Sequence, residues 1–222
     1  MQHRRTLTLK AVVFDFDGTL ALLNVDFKAM RLDILGLAAS YGISDDGLEG
    51  LFVLEMIAEI RRRIGRHAPG REGDFADRAL QLVTDRELEG AARSALFPGV
   101  REMLAELRRR GVKRGILTRN CLEAVTAVFP DIGRYSEAVV TRSDAERVKP
   151  HPDHIRTVLG ILDEDPSKSA MVGDHPMDIR VGKAVGALSV GVLTGYSAAS
   201  DLLEAGADLI LERAAEITSH IG

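Results

Sequence analysis

The chain has 222 residues, 45% hydrophobic and 28% charged, with a formal net charge of -4 at pH 7. That balance fits an ordinary soluble globular protein with one substantial core and room for a smaller accessory domain. It gives no reason to expect nucleic-acid binding, which usually needs a basic face, and the single cysteine, Cys121, excludes an internal disulfide framework.

The start, Met1-Gln2-His3-Arg4-Arg5, is basic, but the apolar run after it meets Asp15 too soon for a signal peptide. No uninterrupted apolar run approaches the roughly 20 residues of a membrane span. A cytoplasmic location is expected, and Cys121 fits a small packing residue there. Ala11-Val12-Val13-Phe14 reads as a strand buried on both faces. It runs straight into Asp15-Phe16-Asp17-Gly18-Thr19, where two carboxylates at the end of a buried strand are costly unless a cation or proton chemistry uses them. From about Val25 to Arg93 the apolar spacing is helical throughout, with a break at Pro69-Gly70 and no convincing strand.

From Leu96 onward the pattern alternates. An amphipathic helix follows Pro98-Gly99 and ends at Gly111. Then come a strand over Lys113 to Thr118, a helix over Leu122 to Phe129, and a short strand at Ala138 to Val140. A helix over Asp153 to Leu159 leads to a strand over Ser169 to Val172. The pattern closes with a helix from Ile179 to Val185, a strand from Leu188 to Leu193 and a last short strand at Asp208 to Leu211. Strands alternating with helices predict an α/β fold: a doubly wound, Rossmann-like parallel sheet with helices on both faces and an inserted helical cap. The predicted core is 1–20 with 96–222, and the cap is 21–95. In such sheets the ligand lies at the carboxyl ends of the strands.

Four loops, each near the end of a predicted strand, carry polar residues that could converge there. They hold Asp15 and Asp17; Thr118 and Asn120; Lys149-Pro150; and Asp174 with Asp178. Several carboxylates with one lysine suggest a hard cation with oxygen ligands and an anionic substrate. Mg²⁺ favours one or two carboxylates, waters and phosphate oxygen, while lysine and hydroxyl groups hold phosphate. Each residue also has a plainer reading. Thr118 can cap the next helix, Lys149 can be a surface lysine, and Asp178 can sit on a helix N-terminus.

In their order, Asp-x-Asp-Gly-Thr, then Thr, then Lys-Pro, then Gly-Asp-x-x-x-Asp, these residues resemble the haloacid dehalogenase superfamily of phosphohydrolases. Within it they are most similar to the phosphoglycolate phosphatase and β-phosphoglucomutase subgroup. The resemblance covers nearly the whole chain and implies the following roles. Asp15 is the nucleophile that forms an aspartyl-phosphate, and Asp17 is the general acid and base, its backbone carbonyl also reaching Mg²⁺. Thr118, Arg119 and Asn120 hold the phosphoryl oxygens together with Lys149, which also offsets charge on the nucleophile. Asp174 completes the metal site with Asp15 and Asp17, and Asp178 is a ligand or supports one.

The implied activity is a Mg²⁺-dependent phosphatase of a small phosphate monoester, phosphoglycolate-like or a sugar phosphate, in a monomer or homodimer without nucleic-acid or membrane partners. Asp17 favours ester chemistry over dehalogenation or phosphonate cleavage, because those relatives lack an aspartate there. The alternatives are a phosphomutase, a protein phosphatase and a non-catalytic module that binds a phosphorylated metabolite. The basic run Arg61-Arg62-Arg63 with Arg66, His67 and Arg71 reads either as a solvated helix face or as a source of ligands for a second acidic group. His175 reads either as a partner of nearby carboxylates or as a solvent-facing side chain.

Overall fold

A computed structural model describes residues 7–222; the basic start Met1–Arg5 lies outside the described residues. The chain divides into two compact units, one containing the residues up to Leu23 with Ser94–Gly222, the other Asn24–Arg93.

The larger unit is built on six parallel strands. They are β1 (Ala11–Phe14), β4 (Lys113–Leu117), β5 (Ala138–Val140), β6 (Ser169–Gly173), β7 (Leu188–Val192) and β8 (Leu209–Leu211), in the order β5-β4-β1-β6-β7-β8. All five pairings are parallel. Chain order reverses on either side of β1, which is the doubly wound arrangement with its switch point at that strand. All four residues of β1 have zero exposure, as expected of a central strand covered on both faces. Two short strands, β2 (Ala21–Leu22) and β3 (Ala95–Leu96), pair antiparallel where the chain leaves and re-enters this unit.

The helices of this unit are α4 (Val100–Arg109), α5 (Leu122–Val128), α6 (Pro152–Leu162), α7 (Pro176–Val185) and α8 (Ala199–Glu204). The apolar stripe of α6, with Ile155, Val158, Leu159 and Leu162, joins Val13 of β1, Leu117 of β4 and Met171 of β6 in one buried cluster. At about 25 cal/mol per Å² of apolar area removed from water, such side chains stabilise the fold by roughly 1.5–3 kcal/mol each. Cys121 is buried at the start of α5, where its Sγ accepts the Ala124 N–H at 3.4 Å.

The smaller unit is helical: α1 (Phe27–Ser40), α2 (Val53–His67) and α3 (Glu72–Ala91). Asp26 begins α1 by accepting the Ala29 N–H at 2.8 Å. The buried faces interlock through Met30 and Ile34 of α1, Met56, Ile60 and Ile64 of α2, and Phe75, Ala79 and Val83 of α3. The connection between α1 and α2 is held by Arg31, whose guanidinium donates to the carbonyls of Leu48 and Leu51. Among the described residues, no helix is long and apolar enough to cross a membrane.

Candidate active site

Four loops at the carboxyl ends of β1, β4, β6 and β7, and the segment after β5, bring the candidate residues to the switch point. β1 delivers Asp15, whose N–H donates to the Val172 carbonyl of β6 at 2.9 Å. Its carboxylate lies with those of Asp174 and Asp178 in a buried group whose ligand oxygens all fall within 4.8 Å of one another. Lys149 Nζ sits among them, 2.6 Å from Asp15 Oδ1 and 2.7 Å from Asp178 Oδ1, at 3% exposure. The surface reading of Lys149 is therefore wrong: its ammonium is the buried counter-ion of two carboxylates.

One ammonium does not balance three carboxylates. Burial, with Asp178 nearby, raises Asp15 to about 6 against the opposing pull of Lys149. Asp174 is pushed to about 8, by burial first and then by the charges of Asp15 and Asp178. Carboxyl groups held above their ordinary range beside one another mark a site with surplus negative charge, the condition that favours a hard cation.

Asp178 stands in the first turn of α7, the helix N-terminal position read for it from the sequence. Its Oδ2 accepts the His175 N–H at 3.2 Å, while its other oxygen meets Lys149. His175 caps the same helix, its Nδ1 accepting the Met177 N–H at 3.1 Å. That cap is a positive function for His175, half-buried at the helix N-terminus. Burial and the nearby cations hold its imidazole below the usual range, against the pull of Asp178.

Asp17 is not part of the three-carboxylate group. Its Oδ1 accepts the Leu23 N–H at 2.7 Å, which turns the carboxylate toward the strand leaving the unit. Thr118 is fully buried; its hydroxyl donates to Asn120 Oδ1 at 2.8 Å and accepts the Asn120 N–H at 3.1 Å. Asn120 thus orients the Thr118 hydroxyl. The Arg119 guanidinium lies against the Met177 sulfur at 3.3 Å, and Arg142 donates to the Arg119 carbonyl at 3.2 Å.

The loop after β7 also belongs to the site, and reading the sequence alone passed over it. The Tyr196 N–H donates to Asp174 Oδ2 at 3.1 Å, and the Thr194 hydroxyl donates to the Gly18 carbonyl at 2.6 Å. A Cβ on Gly195 would stand 1.8 Å from Asp174 Oδ2, and one on Gly18 2.5 Å from the same carboxylate. Only glycine lets both backbones approach Asp174 this closely. The available signal was Leu193-Thr194-Gly195 at a strand end, which repeats the small-residue character of Gly18-Thr19.

In the helical unit, two of the arginines of the basic run are committed locally. Arg62 and Arg63 both pair with Glu59, and Arg63 also donates to the Asp46 carbonyl at 2.8 Å.

Residues 9–186 match the family model for haloacid dehalogenase-like hydrolases. A haloacid dehalogenase-like hydrolase domain-containing protein of Arabidopsis thaliana is 29% identical over 182 residues, covering 82% of this chain and 69% of the relative. The phosphoglycolate phosphatase of Shigella dysenteriae is 28% identical over 211 residues, covering 85% of this chain and 83% of the relative. Among solved structures, CbbY from Rhodobacter sphaeroides in complex with phosphate superposes with a TM-score of 0.66 at 25% identity over 94% of this chain and 96% of that one. A hydrolase from Pseudomonas syringae shares the fold, with a TM-score of 0.65 at 21% identity over 95% and 97% of the two chains. The order of the motifs, the sheet they end on and the family match agree: the chain belongs to the haloacid dehalogenase-like hydrolases.

Proposed function

We propose that this hydrolase is a Mg²⁺-dependent phosphatase of small phosphate monoesters that works through an aspartyl-phosphate on Asp15. The observation that carries the reading is the Lys149 ammonium held between Asp15 and Asp178 with Asp174 alongside. Three buried carboxylates, two of them paired with one lysine, fit one divalent cation with oxygen ligands, and Asp15, Asp174 and Asp178 would hold it with the Asp17 carbonyl. When bound, Mg²⁺ would supply positive charge where the Asp15 carboxylate meets the phosphate.

The chain's own groups then account for the reaction. Asp15 attacks phosphorus, the bond to the ester oxygen breaks, and Asp17 gives that oxygen its proton. Asp17 next takes a proton from water, whose oxygen attacks the same phosphorus and releases phosphate from Asp15. Lys149 holds charge on Asp15 throughout, while the adjoining backbone of Arg119, the Lys149 head and the Thr118 hydroxyl, once it turns from Asn120 Oδ1, receive the phosphoryl oxygens. Phosphoryl transfer needs positioning and charge stabilisation above all, and these residues supply both.

The relatives named phosphoglycolate phosphatase support a small acidic substrate of that kind. We assign leaving-group selection to the helical insert, the cap of 21–95 in the sequence reading. The reading is tested by phosphate release from phosphoglycolate, sugar phosphates, nucleotides and an aryl phosphate, with Mg²⁺, with chelator and with Asp15→Asn. Mg²⁺-dependent release that disappears in the variant supports it. A protein that keeps the phosphoryl group and returns it to a sugar would make it a phosphomutase. Release unaffected by chelator or by Asp15→Asn would refute it.

A further inference from the structure

His154 lies in the first turn of α6 with no exposed surface, and none of the proposed chemical steps uses it. Its ring ties the first turn of α6 to both ends of the connection that leads into it from β5. Nδ1 accepts the backbone N–H of Lys149 at 3.1 Å, and Nε2 lies 3.1 Å from the backbone carbonyl of Thr141, the residue after β5. These partners fix the tautomer. A backbone N–H can only donate, so Nδ1 carries no proton; a carbonyl can only accept, so Nε2 carries it. Thr141 is itself pinned, its N–H and hydroxyl both donating to Asp144 Oδ2 at 2.8 and 2.7 Å.

We infer that His154 is a positioning residue that sets the root of Lys149 by holding its backbone N–H from α6, the Thr141 link keeping the ring in the accepting tautomer, so that the ammonium arrives between Asp15 and Asp178. The lysine stem then runs between two fixed points, its head on the two carboxylates and its root on the imidazole, in a setting with 3% exposure. A histidine suits the place because it offers one acceptor and one donor on opposite edges of a rigid ring, and burial forbids leaving either backbone group unpaired. Burial, with Lys149 and Arg119 nearby, also pushes the imidazole down to about 4, against the Thr141 carbonyl and Asp144, which keeps the neutral form.

The inference rests on the reading of Lys149 as part of the catalytic group, and the experiment separates the two. Steady-state kinetics with Mg²⁺ and an aryl phosphate are measured for the full chain and for His154→Asn, His154→Gln and Lys149→Ala. The side-chain oxygen of asparagine takes the place of Nδ1 and keeps an acceptor for the Lys149 N–H; the terminal amide of glutamine takes the place of Nε2 and keeps only the link to Thr141. A catalytic group displaced by an ångström can cost on the order of 100-fold. His154→Gln is therefore expected to lose about 10-fold or more in kcat with KM nearly unchanged, and His154→Asn to stay within about 3-fold of the parent. Equal losses in both, no loss in either, or a loss confined to KM would overturn the inference. Full activity in Lys149→Ala would instead overturn the reading of the site.

Nitrogen NMR of the unaltered protein provides a check that does not depend on any variant folding. At neutral pH the His154 ring is expected to be neutral with its proton on Nε2. A proton on Nδ1, or a charged ring, would refute the proposed tie.

Discussion

Replacing Lys149 with methionine keeps the length of the stem and removes the charge, and the structure indicates what that should cost. The ammonium lies within 2.7 Å of both Asp15 and Asp178, and all three groups are buried. Removing one member of a buried, hydrogen-bonded ion pair costs about 3–5 kcal/mol because the partner is left charged and unsolvated. In a chain of this size each kcal/mol moves the midpoint by roughly 2–4 °C, so the chelated variant should melt about 6–20 °C below the parent near pH 8.

The loss should shrink in acid, because Asp15 takes up a proton as pH falls through about 6. Lys149 is the largest influence that keeps Asp15 from rising further above its ordinary 3.8. At pH 5 Asp15 is already mostly protonated beside the ammonium, so removing the charge forfeits less there than near pH 8. Calorimetry of parent and Lys149→Met in chelator, near pH 5 and near pH 8, measures both losses. A loss below about 1 kcal/mol near pH 8, or one equal at the two pH values, would mean that the ammonium is not the counter-ion described.

Three further outcomes are expected. In chelator the parent itself should lose stability as pH rises: Asp15 and Asp174 sit above their ordinary 3.8, so their contribution is complete below that value and is lost as pH climbs through about 6 and about 8. Melting curves that are flat over that range, or that shift upward, would contradict this, and Mg²⁺ should remove most of the slope. Gly195→Ala should lose at least about 10-fold in Mg²⁺ affinity by titration calorimetry, because its Cβ would stand 1.8 Å from Asp174 Oδ2 and displaced supporting groups typically cost 10- to 100-fold. Wild-type affinity would show that the loop yields freely. Arg62→Gln should leave KM unchanged for acidic and neutral phosphate esters alike, since Arg62 is engaged by Glu59; a selective rise for the acidic esters would restore the ligand reading of the basic run.

The sheet was legible because most of its strands hold short apolar runs ending in polar loops, and burial on both faces leaves β1 no polar residue to confuse the pattern. The helical insert was legible from its 3.6-residue spacing, with the break at Pro69-Gly70 falling between α2 and α3. The pairs β2 and β3 were not, because two-residue strands carry no periodicity. In the site, Asp15, Asp174, Asp178 and Lys149 could be found from their places after strands. The direction of the Asp17 carboxylate could not, since it depends on the Leu23 N–H six residues on. Nor could the role of Thr194-Gly195-Tyr196, because the small residues after Leu193 mark a strand end but not that it closes on Asp174, 20 residues away. His154 was invisible for a similar reason: its partners are backbone groups, which leave no trace in side-chain spacing.

The central claim, that Asp15 carries the phosphoryl group, is tested most directly by catching it there. Asp17→Asn, which should slow release of phosphate from the enzyme, is mixed with Mg²⁺ and an aryl phosphate, quenched in acid and digested for mass spectrometry. A phosphoryl group on Asp15, absent when chelator replaces Mg²⁺ and absent from the Asp15→Asn protein, is the expected result. Aryl phosphate consumed by the parent with the phosphoryl group found on another residue, or retained in the Asp15→Asn protein, would contradict the account.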